Sequence, residues 1–151
     1  STSYPLLASG QIDAMRSAGF SFQSHTRTHA SLTDLPDGRL ADELAGSRKD
    51  LEDLLGEEVR YLAYPYGHHD DRVISASRSA GYAAAFSTQP GFNRRSTDRY
   101  RICRLDVYGT DTPGMLGRKV LYGSNDGSWQ QTYHYYRRRL TDRLGIRKAN
   151  G

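Results

Sequence analysis

Two histidines four residues apart, His25 and His29, sit in the stretch "SFQSHTRTHASL" among small hydroxyl side chains and one arginine. Imidazole nitrogen suits zinc and other borderline divalent ions. A spacing of four lets two rings meet one ion from a single helical turn or tight loop. A bare pair of this kind is also found as ordinary surface or core histidines, so its neighbourhood has to decide. Here the pair follows Phe20 to Gln23, which alternates apolar and polar as a short strand does. Thr26 and Thr28 add hydroxyls that can orient ligating rings. A second stretch, "YPYG", closes another strand-like run, Val59 to Tyr64. Taken alone it is a β-turn with Pro and Gly in their usual places.

These two stretches need elements to hold them. Gln11 to Ser17 predicts a short helix ended by Gly19. Asp37 to Leu55 predicts the clearest helix of the chain, with Leu40, Leu44, Leu51, Leu54 and Leu55 as its apolar stripe and Gly56 as its cap. "DDRVISASRSAG" reads as a further helix, with Asp70 and Asp71 as first-turn acids and Gly81 past its end. "YAAAFST" and "YRICRLDVY" read as strands, with Pro90 to Arg99 a loop between them. Pro113 to Leu121 and Gln130 to Leu144 read as helices, and "RKANG" as a frayed end. Strands alternating with helices imply an α/β fold with parallel pairing. In such sheets ligands gather at the carboxyl ends of the strands, which is where both stretches fall.

The bulk properties set outer limits. The 151 residues suit one domain, with net charge +4 and no apolar run near the ~18 residues that a membrane span needs. Mean hydropathy is −0.74, fitting a loop-rich domain. The start, "STSYPLLASG", shows no basic region followed by an apolar one, so no signal peptide is read there. Cys103 is the single cysteine, which excludes an internal disulfide and a thiolate-rich zinc site. The sequence pI of about 9.3 raises nucleic acid as a partner. Dense basic charge is confined to "YHYYRRRL", however, and acids and bases alternate elsewhere, so a basic tail on a mixed surface is the better reading.

The motifs in order, "SHTRTHASL", the leucine-rich helix, then "VRYLAYPYGHHDDRVISASRSAGYAAAFST", resemble the polysaccharide deacetylases with a NodB homology domain (carbohydrate esterase family 4), over roughly Leu6 to Val107. The "AYPYG" subgroup matches best. The resemblance implies a distorted (β/α) barrel and a hydrolase that removes acetyl groups from N-acetylglucosamine-type polysaccharide. It implies Zn²⁺ or another divalent metal held by an Asp and two His, the latter here His25 and His29. It also implies an oxyanion donor in the Tyr66 backbone N–H, with Tyr64, Pro65 and Gly67 on the substrate side. An extracytoplasmic or cell-envelope location goes with the family.

The sequence departs from that pattern in three places. The Asp–Asp motif that supplies the base and third ligand is not found upstream of His25, where Asp13 is the sole acid. The arginine before the P-Y-G motif is replaced by the Ala63–Tyr64 neighbourhood, and no L-x-H segment supplies a general acid; His134 does not match one. The expectation is therefore a NodB-like domain over residues 1–145 that is N-terminally incomplete, with its first strands missing, and a frayed tail over 146–151. Weak or absent metal and no turnover by this chain follow, with a non-catalytic glycan-binding relative as the alternative. The open sheet edge should be covered by Tyr4 to Leu7, a second copy or a separate chain, and Leu62, Tyr64, Ala84 and Phe86 should form an exposed apolar face. Asn125 and Asp126 in "VLYGSNDG" faintly resemble the missing aspartate motif, although an Asn-Asp-Gly turn is the plainer reading. His68 and His69 read as loop residues near the cleft mouth. Tyr64, Tyr66 and Trp129 could stack on sugars, with burial an equal reading for Trp129.

Overall fold

The computed structural model describes residues 7–143. Its centre is a short parallel pair. β1 (Tyr61–Ala63) and β2 (Ala84–Phe86) run in register, with Tyr61 opposite Ala84, Leu62 opposite Ala85 and Ala63 opposite Phe86. Single parallel bridges extend the pair on both sides, Ser24 to Leu62 and Phe86 to Ile102. The order across the sheet thus follows the order along the chain, as in one arc of a (β/α) barrel. Phe20 to Gln23 and "YRICRLDVY" were expected as strands, and the structure corrects both. Only Ser24 and Ile102 pair. The Gln23 side chain accepts the Arg60 and Tyr61 N–H groups, a side-chain substitute for a longer ladder.

The helices between the paired segments pack on one face of this arc. α1 (Ser9–Ser17) precedes it. Next come α2 (Asp37–Ala41), a π-helical turn (Asp42–Gly46) and α3 (Ser47–Leu55), joined without a break in αR geometry and capped by Gly56 at φ 67°. α4 (Asp71–Ser79) crosses from β1 to β2, opened by Asp70, whose carboxylate accepts the Val73 N–H at 2.7 Å. α5 (Pro113–Tyr122) and α6 (Trp129–Arg143) follow, with Tyr122 and Tyr135 rings 4.7 Å apart between them. The expected helices are all present. The residues of the "RKANG" end lie outside those described. No helix among the described residues is long and apolar enough to cross a membrane.

The core lies between sheet and helices: Leu32, Leu40, Leu44, Leu55, Val59, Leu62, Tyr64, Val73, Ile74, Tyr82, Ala85 and Tyr100. This corrects the expected exposed face. Leu62, Tyr64 and Ala85 are fully buried, because the helices between the strands cover the side of the sheet that Leu62 and Ala85 share; Ala84, nearly buried, lies on the opposite side with Tyr61. The other side shows Tyr61, 37% exposed, with its ring 6.1 Å from that of Phe86. Among the described residues the sheet does not close. Val107 is exposed and Val120 to Tyr122 end α5, so neither fills the gap. Tyr4 to Leu6 lie outside the described residues.

Candidate active site

The histidine loop leaves the sheet at Ser24, whose N–H donates to the Tyr61 carbonyl while its own carbonyl accepts the Ala63 N–H. The next five residues turn sharply. Thr26 and His29 both hold positive φ, 69° and 59°, although neither is glycine. Such backbone costs energy and persists where the surroundings over-determine it. The turn brings the two expected ligands together, with the rings of His25 and His29 4.7 Å apart, edge to face. His25 Nδ1 lies 2.7 Å from the Ala63 carbonyl, so Nδ1 carries the proton and Nε2 is left for a ligand.

The "YPYG" turn comes to the same place. The Tyr66 ring sits 4.7 Å from that of His29. Tyr66 itself has φ 57°, and its carbonyl accepts the Thr88 hydroxyl at 3.1 Å. No described residue accepts the Tyr66 N–H. A free N–H on a strained turn at the carboxyl end of a sheet is a ready hydrogen-bond donor to a developing oxyanion. Gly67, at φ 74°, lies so close to Thr88 that a Cβ would stand 2.2 Å from its Oγ1.

Other expected residues take supporting places. Tyr64 is fully buried and donates its hydroxyl to the Tyr100 carbonyl at 3.1 Å, so it cannot stack on a sugar. Burial raises its phenol to about 12. Pro65 and Gly67 are buried as well, so they shape the turn rather than present side chains. Tyr66, 58% exposed, keeps its ring available. His68 is exposed, whereas His69 stacks on Tyr64 at 4.9 Å, its Nδ1 2.9 Å from the Gly67 carbonyl. Trp129 is 73% exposed under the Arg118 guanidinium, which rules out the buried reading. Asp126 accepts the Ser128 N–H in a local turn. Among the described residues, no third His, Cys, Asp or Glu joins His25 and His29. Two imidazoles, one with a free Nε2, fit two of the three protein positions of a catalytic zinc.

Sequence reasoning missed what holds the loop. Glu43, in the π-helical turn, is 1% exposed. Its Oε2 accepts the N–H groups of Arg27 and Thr28 at 2.8 and 2.9 Å, and its Oε1 accepts the Thr28 hydroxyl at 2.5 Å. Burial alone would push this carboxyl up; the bonds from Thr28 and Arg27 outweigh it and hold it below its ordinary value. Arg27 forks onto Asp50 at 2.7 and 2.8 Å and reaches Asp42 at 2.5 Å. The hydrogen bond to Asp50 raises the Arg27 guanidinium further above its usual range. Beneath the loop, Ser24, Ser47 and Tyr82 form a buried hydroxyl chain, with the Tyr82 hydroxyl donating to the Leu44 carbonyl at 2.9 Å. A signal was present: Glu43 interrupts the apolar stripe between Leu40 and Leu44, where an acid must find partners.

A sequence-ordered parallel arc with helices on one side and paired histidines at its carboxyl end is the NodB-type α/β fold, and solved structures agree. A polysaccharide deacetylase from Bacillus cereus superposes with TM-score 0.64 at 34% identity, over 70% of this chain and 34% of that one. The deacetylase PplD of Streptococcus pyogenes, solved with acetate, superposes with TM-score 0.70 at 23% identity, over 74% and 50%. In sequence, YxkH of Bacillus subtilis strain 168, whose name places it among polysaccharide deacetylases, is 29% identical over 74% of this chain and 38% of its own length. The family model described as polysaccharide deacetylase matches residues 4–85. The chain belongs to that family. It spans 38% and 31% of the lengths of two curated relatives it matches.

Proposed function

We propose that this chain carries part of the cleft of a metal-dependent enzyme that de-N-acetylates N-acetylglucosamine-type polysaccharide. The observation that supports it most is the convergence of His25, His29 and the unengaged Tyr66 N–H at one end of the sheet. His25 and His29 would hold the metal, which, when bound, polarises an amide carbonyl and acidifies a water. The chain's own residues do the rest of what is present here. The Ala63 carbonyl fixes the His25 tautomer, the Tyr66 N–H receives negative charge on the carbonyl oxygen, and the Tyr66 ring offers a face to a sugar. A general base and a third ligand are not among the described residues that meet His25 and His29, so the 151-residue chain alone should not turn over.

Zinc titration followed by histidine NMR tests the assignment. The signals of His25 and His29 should move together, before those of His68, His69 and His134, with weak affinity that His25→Ala abolishes. Affinity unchanged in His25→Ala would overturn it. Acetate release from poly-N-acetylglucosamine by this chain, lost on adding a chelator, would show that another of its residues fills the base role. Glycan binding without release, in a chain that ignores zinc, would make it a binding relative.

A further inference from the structure

The long helical rod from Asp37 to Leu55 is regular except at Asp42–Gly46, where it widens into a π turn. Single π turns inside α-helices are uncommon and concentrate at functional sites. This one faces the histidine loop. Three of its five residues act on Arg27 or Thr28. Asp42 receives the Arg27 guanidinium, Glu43 receives both backbone N–H groups and the Thr28 hydroxyl, and Gly46 lets Arg27 lie flat against the helix. A Cβ at Gly46 would stand 2.6 Å from Arg27 Cζ. At this turn the Leu44 carbonyl accepts the Ser47 backbone N–H and also the Ser47 and Tyr82 hydroxyls.

The two residues gripped by Glu43 are those between the two left-handed positions, Thr26 and His29. A carboxylate that accepts N–H groups from consecutive residues fixes the peptide plane between them. Fixing that plane, with φ positive on both sides, sets the direction in which His29 leaves the loop relative to His25. Side-chain hydrogen bonds within the loop are weaker: the Thr26 hydroxyl accepts the His29 N–H at 3.2 Å, and Ser24 Oγ accepts the Thr26 N–H at 3.4 Å. These are at the long end for hydrogen bonds. The short side-chain bonds to the loop's own backbone N–H groups are therefore those of Glu43.

We infer that Glu43, delivered by the π turn, is a positioning residue that holds His25 and His29 at the mutual geometry a shared metal ion requires. The inference rests on the proposed role of these histidines, but its test does not depend on metal binding. In the full chain, ring-to-ring NOEs between His25 and His29, and between His29 and Tyr66, should be present. Glu43→Gln keeps shape and volume but loses the second anionic oxygen, so these NOEs should weaken or vanish while core contacts of Tyr64 and Tyr82 persist. Thr28→Val, which removes only the hydroxyl, should weaken them partly, and Thr28→Ser should restore them.

Zinc adds a second readout. Outer partners of metal ligands typically carry about 10- to 100-fold in affinity, so zinc binding should weaken at least about tenfold in Glu43→Gln. The combined Glu43→Gln, Thr28→Val variant should lose less than the two single losses together, because both remove one interaction. If Glu43→Gln lowers thermal stability but leaves the ring contacts and zinc affinity of the folded protein unchanged, Glu43 is only a fold residue and the inference is overturned. If wild-type chain ignores zinc while the ring contacts still depend on Glu43, the positioning role stands and the metal reading fails. Should Glu43→Gln fail to fold, Gly46→Ala displaces Arg27 from the same turn and must disturb the same ring contacts.

Discussion

Replacing Gly67 with alanine separates two costs that usually travel together. Gly67 lies at φ 74°, a region where a Cβ is strained by roughly 1–2 kcal/mol. Its neighbour leaves little room: the new Cβ would stand 2.2 Å from Thr88 Oγ1 and 2.6 Å from Thr88 N. The hydroxyl can rotate away, losing its bond to the Tyr66 carbonyl, worth about 0.5–1.5 kcal/mol net. The backbone nitrogen cannot rotate; relieving it moves the end of the strand, and overpacking of this kind costs roughly 1–3 kcal/mol. The sum is on the order of 3–6 kcal/mol. Gly56 supplies the control. Its φ is 67°, yet nothing lies within 4 Å of its Cβ direction, so Gly56→Ala should cost only the strain, roughly 1–2 kcal/mol. Urea denaturation of both variants, read at constant slope, measures the difference. Adding Thr88→Ala to Gly67→Ala should recover only part of the loss, because the contact with the nitrogen remains. Equal costs for the two glycines, within about 0.5 kcal/mol, or full recovery in the double variant, would refute the reasoning.

Other outcomes follow from the same structure. Burial raises the Tyr64 phenol from 10.0 to about 12. The unfolded chain therefore gives up its proton first, so this stability is present below pH 10 and is lost between pH 10 and 12. Alkaline unfolding monitored by tyrosinate absorbance should show it, and Tyr64→Phe should flatten that limb. Leu62→Ala, at a fully buried position between sheet and helices, should cost about 2–5 kcal/mol in the same urea assay. Lys119, 1% exposed, is held by Asp111 at 2.6 Å and the Asp106 carbonyl at 3.0 Å. Lys119→Met should therefore lower the urea midpoint more than Lys49→Met, which breaks an exposed pair with Asp53.

Local sequence carried the helices and their ends, because caps and stripes are written in neighbouring residues. Gly56 and Gly81 end helices at positive φ, Asp70 opens α4, and Leu40, Leu44, Leu51 and Leu55 mark one face, whereas Leu54, also expected on it, is 53% exposed. It also marked His25 and His29 as a pair, since a spacing of four keeps two rings within reach of each other, although the loop that joins them is held by Glu43 from the helix. Strand extents were less legible. An alternating run such as Phe20 to Gln23 says that a segment can be extended, but a ladder needs a partner along its whole length, and only Ser24 has one. Which face of β1 is buried was also undecided by alternation; the helices settle it by covering Leu62 and leaving Tyr61 open. The same holds for the site. "YPYG" fixed a turn, while the approach of Tyr66 to His29 and the unengaged Tyr66 N–H exist only once β1 stands beside Ser24. Glu43 is the clearest case. Its misplacement in an apolar stripe was visible in the sequence, but the groups that satisfy it lie 15 and 16 residues away, on Thr28 and Arg27. Hydrogen bonds across that separation are made by packing the rod against the sheet, and no local pattern specifies them.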